Sequence, residues 1–229
     1  DLVLDCVADA RASTGLGIAV VIAANRTRHP LDARTLARLA AQYADRGVVG
    51  FGLSNDERRG HTEEFAGAFR IAQRGGLRPV PHGGELRGAD HVRTCLETLG
   101  ARRLGHGVRS AEDPEVLDRI VQAGVALEVC PVSNVALGVY SDLTSVPLPT
   151  LLEAGATVAL GADDPLLFGS RLAGQYATMR AAHDLDDTVL AQLAEMSFAA
   201  SCAPDDVRTA ASREIDAWLG APPTPAVGG

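Results

Sequence analysis

The most informative absence in this sequence is lysine, since all 21 basic residues are arginine. A chain without lysine can form neither a Schiff base with a carbonyl substrate nor the lysine contact of a phosphate-binding P-loop. Aromatic residues make up only 4% of the chain, so aliphatic side chains must fill the core that a hydrophobic content of 46% allows. Whole reaction classes are therefore excluded before any motif is considered.

Long basic runs and long apolar runs are also missing. The net charge is -8 and adjacent basic residues occur as pairs such as Arg58 and Arg59, so we expect no nucleic-acid partner. No apolar run reaches the ~18 residues of a membrane span, and the first residues lack the basic and apolar regions of a signal peptide. These features predict no membrane partner and a cytoplasmic location.

Cysteine is sparse and widely spaced. Cys6, Cys95, Cys130 and Cys202 form no C-x-x-C pair, which argues against a structural zinc site and against a disulfide framework. We expect four buried free thiols in a reducing compartment.

What the sequence does contain is a regular alternation of strand and helix patterns. Strands are predicted to begin near residues 18, 48, 77, 103, 125 and 156, and a helical pattern separates each from the next. Strict alternation predicts a parallel sheet, which either an open doubly wound sheet or a (β/α)₈ barrel would satisfy. We expect one domain over residues 1–220 and a disordered Pro/Gly-rich tail over residues 221–229.

The last predicted strand ends in two adjacent carboxylates, Asp163 and Asp164, and Pro165 then prevents the strand from continuing. Neighbouring side chains of a strand point to opposite faces, so one carboxylate could bind a metal while the other meets a substrate. Asp and Pro are also common turn residues. A simple turn is therefore an equally good explanation of this segment taken alone.

Two earlier strands also end in polar residues. One delivers His82 and Glu85 and the next delivers His106, with glycines beside both histidines. Glycine lets a ligand or a metal approach the backbone closely. Imidazole and carboxylate groups suit a mononuclear zinc site, whose metal lowers the pKa of a water molecule to about 7. The remaining histidines are interpreted as structural or solvated: His29, His61, His91 and His183.

Four ordered motifs resemble the adenosine deaminase family of the amidohydrolase superfamily. They are H-G-G-E from His82, L-G-H-G-V-R around His106, E-V-C-P-V-S-N from Glu128, and G-A-D-D-P ending at Pro165. The resemblance spans roughly residues 17–180. It implies a zinc-dependent TIM-type (β/α) barrel that hydrolyses the 6-amino group of adenine-type rings.

The resemblance also implies a role for each site residue. His82 and Asp163 would be zinc ligands, and Glu85 would protonate the ring nitrogen next to the attacked carbon. His106 would orient and deprotonate the nucleophilic water. Asp164 would form a hydrogen bond with the imidazole part of the ring, and Gly83, in place of the usual alanine, would belong to the substrate-binding set.

The sequence departs from the family pattern in two places that matter. The family's opening strand carries H-x-H, with two further zinc ligands, and no H-x-H occurs here. We therefore expect an incomplete barrel with about six of eight strands, the first two βα units missing. Asn55 also stands where the family has a glycine that contacts the purine.

The leading interpretation is zinc-dependent hydrolytic deamination of adenosine or a related 6-aminopurine nucleoside. The alternatives are an adenine or aminodeoxyfutalosine deaminase, or a catalytically silent chain that binds a ligand. Two missing barrel strands would leave two unpaired edges with apolar faces. We therefore also expect poor solubility or a homodimer.

Overall fold

The computed structural model describes residues 1–221, which form a six-stranded parallel sheet surrounded by helices. The strands are β1 (Val20–Asn25), β2 (Val48–Ser54), β3 (Arg78–Gly83), β4 (Arg103–His106), β5 (Ala126–Val129) and β6 (Val158–Leu160). The segment of the expected tail that follows Ala221 lies outside the described residues.

The order of the strands decides between the two topologies that the sequence allowed. Each strand pairs in parallel with the next one along the chain, in the order β1-β2-β3-β4-β5-β6. A doubly wound sheet would reverse its order at a switch point, whereas a barrel adds every new strand on the same side. The expected incomplete TIM-type barrel is therefore confirmed.

The helices follow the strands as the apolar patterns predict. They are α1 (Leu2–Thr14), α2 (Pro30–Ala41), α3 (Ala66–Arg74), α4 (Ala89–Leu99), α5 (Pro114–Ala123), α6 (Pro131–Ala136), α7 (Leu148–Glu153), α8 (Pro165–Phe168), α9 (Leu172–His183), α10 (Asp187–Ala200) and α11 (Asp205–Leu219). The short helices α6 and α8 were not predicted, because segments of six and four residues carry too little periodicity.

Aliphatic side chains between the sheet and its helices form the core. Leu104 of β4 and Leu127 of β5 are fully buried there with Ile120 of α5. Phe51 and Phe69 add one edge-to-face aromatic contact, with ring centroids 5.3 Å apart. This core lies between the sheet and the helices. The carboxyl ends of the strands therefore remain free for polar residues.

The prediction that all four cysteines are buried is wrong for two of them. All four are free thiols, but Cys6 and Cys202 are exposed while Cys95 and Cys130 are buried. Cys6 lies on α1, a helix with no fully buried residue among its thirteen, and Leu4 of this helix packs against the core only in part. Within residues 1–221, no helix combines the length and apolar character needed to cross a bilayer.

Candidate active site at the carboxyl ends of the strands

Backbone strain marks the carboxyl ends of the strands. Among the described residues, four non-glycine positions have positive φ, and three of these lie at a strand end or shortly after one: Asn55 at 82°, His106 at 65° and Asp163 at 56°. Residues other than glycine adopt a positive φ only at a cost in conformational energy, and such residues concentrate at functional sites. At position 55, asparagine tolerates the conformation that a glycine would adopt freely.

A cavity of about 300 Å³ opens at these strand ends. Its walls include His82, His106, Cys130 and Asp163, contributed by four successive β-strands and the turns after them. A larger cavity of about 800 Å³ lies at the opposite, amino-terminal ends of the strands, beside Arg78 and Arg102. Barrel enzymes place their chemistry at the carboxyl end, so the smaller cavity is the candidate site.

The predicted site residues converge on this cavity. One donor atom each of Glu85, His106 and Asp163 lies within 4.8 Å of the others, and the ring of His82 stands edge-on to that of His106 at 5.1 Å between centroids. Gly105 makes room for the His82 ring, because a Cβ at position 105 would lie 2.3 Å from its Cδ2 atom. The glycine beside His106 therefore serves the neighbouring histidine.

Glu85 is held in its protonated form at neutral pH. Burial, together with the negative charges of Glu57 and Asp163, raises the pKa of this carboxyl to about 8. Only 7% of the residue is exposed. A neutral carboxylic acid of this kind can donate a proton to a bound ligand, which is the property required of a general acid.

His106 is held in its neutral form. Burial and the neighbouring His82 together lower the pKa of its imidazole to about 4, against the opposing charges of Asp163 and Glu57. Nε2 lies 3.5 Å from Oε2 of Glu85, and the side-chain amide of Asn134 lies 3.3 Å from Nδ1. A neutral imidazole fixed on one side by an amide can accept a proton from water.

The two remaining predicted residues lie beside the cavity wall. Asp164 caps α8, since its Oδ1 accepts hydrogen bonds from the amides of Leu166 and Leu167. Adjacent carboxylates thus diverge, with Asp163 at the cavity and Asp164 at the helix. Gly83 is packed tightly, because a Cβ there would lie 2.6 Å from the thiol sulfur of Cys95.

Three buried polar residues near the site received no role from sequence reasoning: Glu57, Asn134 and Arg26. Asn134 follows the strand that ends before Cys130, so its place in E-V-C-P-V-S-N was the signal that could have paired it with His106. Arg26 and Glu57 follow β1 and β2 and belong to no periodic pattern. His91, interpreted as structural or solvated, is buried and contacts Arg26, so it is structural.

The donor set fits a zinc ion. An imidazole and a carboxylate are among the nitrogen and oxygen ligands that catalytic zinc prefers, and His82 and Asp163 supply them in the cavity wall, where His106 adds a second imidazole beside them. Within the described chain, the buried Oε1 of Glu85 has no hydrogen-bond partner. A buried polar atom without a partner points to a ligand that satisfies it.

Comparison with known proteins identifies the family of the chain. A family model described as adenosine deaminase matches residues 1–218. A Streptomyces virginiae protein named putative adenosine/adenine deaminase is 60% identical over 219 residues, which cover 96% of this chain and 65% of that protein. An adenine deaminase from Chelativorans sp. is 39% identical over 201 residues, which cover 88% of this chain and 62% of that protein.

A solved structure shares the fold. The crystal structure of adenine deaminase from Arthrobacter aurescens matches with a TM-score of 0.89 and 29% identity, over 95% of this chain and 66% of that one. The chain thus spans slightly less than two thirds of the length of these three relatives, with shares of 65%, 62% and 66%.

Proposed function

Because the chain belongs to the adenosine deaminase family, we propose that its cavity is the site of a zinc-dependent hydrolytic deaminase acting on a 6-aminopurine. One observation carries the proposal: Nε2 of His106 and Oε2 of Glu85 lie 3.5 Å apart beside Asp163, where burial raises the pKa of the carboxyl and lowers the pKa of the imidazole. An acid and a base whose pKa values are displaced in opposite directions are the pair that hydrolysis of a ring C–N bond requires.

In this proposal His82 and Asp163 hold the zinc ion, which when bound lowers the pKa of a water molecule to about 7. His106 accepts a proton from the water whose oxygen forms the new bond to C6. Glu85 donates a proton to the ring nitrogen beside C6, so that negative charge does not build up on the purine. His106 passes the proton that it accepted to the amino nitrogen, the C6–N bond breaks, and ammonia leaves. The new C6 hydroxyl returns its proton to Glu85, which gives a 6-oxopurine as the second product.

We assign adenine as the preferred substrate, ahead of the adenosine expected from the sequence. The support is that the Chelativorans and Arthrobacter relatives are named adenine deaminases. Asp164 and Gly83 are retained as substrate-binding residues, with the free Oδ2 of Asp164 as the hydrogen-bonding atom. We further propose a cytoplasmic location, because the four cysteines are free, and association into a homodimer through the sheet edges.

The test is ammonia release from adenine and from adenosine by the purified chain after titration with zinc. We expect about one zinc ion per chain and faster release from adenine. His82→Ala should abolish both zinc binding and turnover, whereas the exposed His61→Ala, a matched control, should abolish neither. A folded chain that binds zinc weakly and releases no ammonia from either compound contradicts the proposal and favours a silent ligand-binding chain.

A further inference from the structure

Glu57 lies fully buried directly behind the segment that carries Glu85. Its Oε2 accepts hydrogen bonds from three consecutive backbone amides, those of Glu85 at 3.1 Å, Leu86 at 3.0 Å and Arg87 at 2.9 Å. The exposed fraction of Glu57 is 0%. A charged acceptor shared by three successive amides fixes the path of the backbone far more firmly than one hydrogen bond would.

A chain of buried polar groups holds Glu57 in turn. Nδ1 of His91 lies 3.3 Å from Oε2 of Glu57, and Nε2 of the same ring lies 2.8 Å from the hydroxyl of Thr62. Arg26 donates to that hydroxyl at 3.1 Å and to the backbone carbonyl of His82 at 2.8 Å. The network therefore forms hydrogen bonds at both ends of the segment 82–87.

The proton positions follow from the donors present. Arg26 can only donate, so the Thr62 oxygen accepts from it and the hydroxyl proton is free to point at Nε2 of His91. The ring then carries its proton on Nδ1, which faces the Glu57 carboxylate. Every polar contact of Glu57 thus comes from a donor, which is the arrangement that keeps a buried carboxylate charged.

The charge on Glu57 is consistent with this geometry. Burial alone would raise the pKa of the carboxyl, but the imidazole of His91 and the amides of Arg87 and Glu85 outweigh burial and lower the pKa below its ordinary value. Glu57 and Glu85 are therefore two buried carboxyls with opposite protonation, and Glu57 touches the backbone of Glu85 while its own side chain lies outside the cavity lining.

We propose that Glu57 is a positioning residue, whose carboxylate anchors the backbone of residues 85–87 and so holds the Glu85 side chain beside His106. The inference rests on the proposed function for its catalytic consequence, but the anchor itself is a property of the folded chain. Removing it should therefore loosen three named amides whether or not the chain turns over a purine.

The first test measures hydrogen exchange at individual amides of the whole chain by NMR. Glu57→Ala should speed exchange at residues 85, 86 and 87 by about tenfold or more. Glu57→Gln should restore most of the protection, because its amide oxygen can occupy the Oε2 position. Asp186→Ala is the matched control, since it removes a carboxylate that accepts the amide of Val189 at the start of α10, and residues 85–87 should not respond.

The second test measures kinetics with adenine. Glu57→Ala should lower kcat by about 10- to 100-fold with KM little changed. Glu57→Gln should recover much of the lost kcat. Each rate is divided by the concentration of folded protein. Unchanged exchange at 85–87 in Glu57→Ala overturns the anchor. Faster exchange with an unchanged kcat overturns the positioning role. If the wild-type chain releases no ammonia, that result contradicts the proposed function instead. The hydrogen-exchange measurement still tests the anchor in that case.

Discussion

At the scale of single residues, Glu57 and Glu85 show how the surroundings decide the state of a carboxyl group. Both are buried, with 0% and 7% of the residue exposed. Glu57 meets three amides and an imidazole, and its pKa falls. Glu85 is buried away from water near the charges of Glu57 and Asp163, and its pKa rises to about 8. The anchor thus also helps to keep the proposed acid protonated.

The raised pKa of Glu85 predicts a specific pH dependence of stability. The folded chain holds this proton up to about pH 8, whereas the unfolded chain releases it near pH 4.3. The stabilising contribution is therefore full below about pH 4 and is lost, by about 1.4 kcal/mol per pH unit, as pH rises to about 8. Glu85→Gln should remove this slope and be more stable than wild type at pH 8.

Urea unfolding of metal-free protein between pH 5 and pH 8 measures the difference. Glu64→Gln, which neutralises an exposed carboxylate on the surface, should run parallel to wild type. If the wild-type and Glu85→Gln curves have the same slope, the Glu85 proton is not retained on folding.

A second prediction at this scale concerns the room beside His82. Gly105→Ala would place a methyl group 2.3 Å from the His82 ring, so the ring must move and the fold should lose about 1–3 kcal/mol. Zinc affinity should fall as well, because the ring is a proposed ligand. Thermal unfolding and zinc titration check both effects. Gly17→Ala, whose added methyl group has nothing within 4 Å, should be almost neutral.

At the scale of elements, two adjacent residues in the turn after β6 have different roles, since one faces the cavity and the other caps a helix. Asp163 takes a left-handed conformation and faces the cavity, and Asp164 takes an extended one and caps α8. At the end of β4, His106 is likewise left-handed, and Asp113, which caps α5, lies seven residues further along the chain. Helix caps thus fix the direction in which the chain leaves the site.

The cap at Asp113 gives a prediction at this scale. Its carboxylate accepts the amides of Glu115 and Val116, so Asp113→Ala should cost about 0.5–2 kcal/mol of stability. Asp118→Ala, an exposed position in the same helix, should stay within about 0.5 kcal/mol of wild type. Denaturant midpoints of the two variants make the comparison. Asp113 also forms an ion pair with Arg93 at 3.2 Å, so equal midpoints would mean that neither the cap nor this ion pair contributes measurably to stability.

At the scale of the whole molecule, the sheet has two edge strands in the described residues, β1 and β6, each paired on one side. An open parallel edge offers unpaired backbone groups to another chain. In β1, Val21 is 37% exposed, which is unusual for a strand of a barrel whose faces are normally covered.

We therefore expect concentration-dependent association of the chain, weakened by a charge on that edge. Val21→Lys should shift sedimentation velocity profiles toward the monomer, because lysine on an edge strand opposes strand addition. Leu39→Lys, which places the same charge at an exposed leucine of α2, should leave the profile unchanged. A wild-type chain that remains monomeric at every concentration contradicts edge-to-edge association.

The amino-acid sequence by itself determined the alternation of strands and helices, and the short-range motifs that place His82, Glu85, His106 and Asp163 at strand ends. These features depend on side-chain periodicity and on local turn chemistry, both of which act over a few residues. They were sufficient to select a parallel fold and to bring the predicted residues to the same end of the sheet.

Only the tertiary structure decided which strands are neighbours, which carboxyl carries a proton, and what holds the site in place. The choice of a barrel over a doubly wound sheet depends on pairing between strands far apart in the chain. The network of Arg26, Glu57 and His91 joins residues up to 65 positions apart. The pKa of a side chain depends on its burial and on the charges of groups that are distant in the sequence. A local sequence pattern gives information on neither.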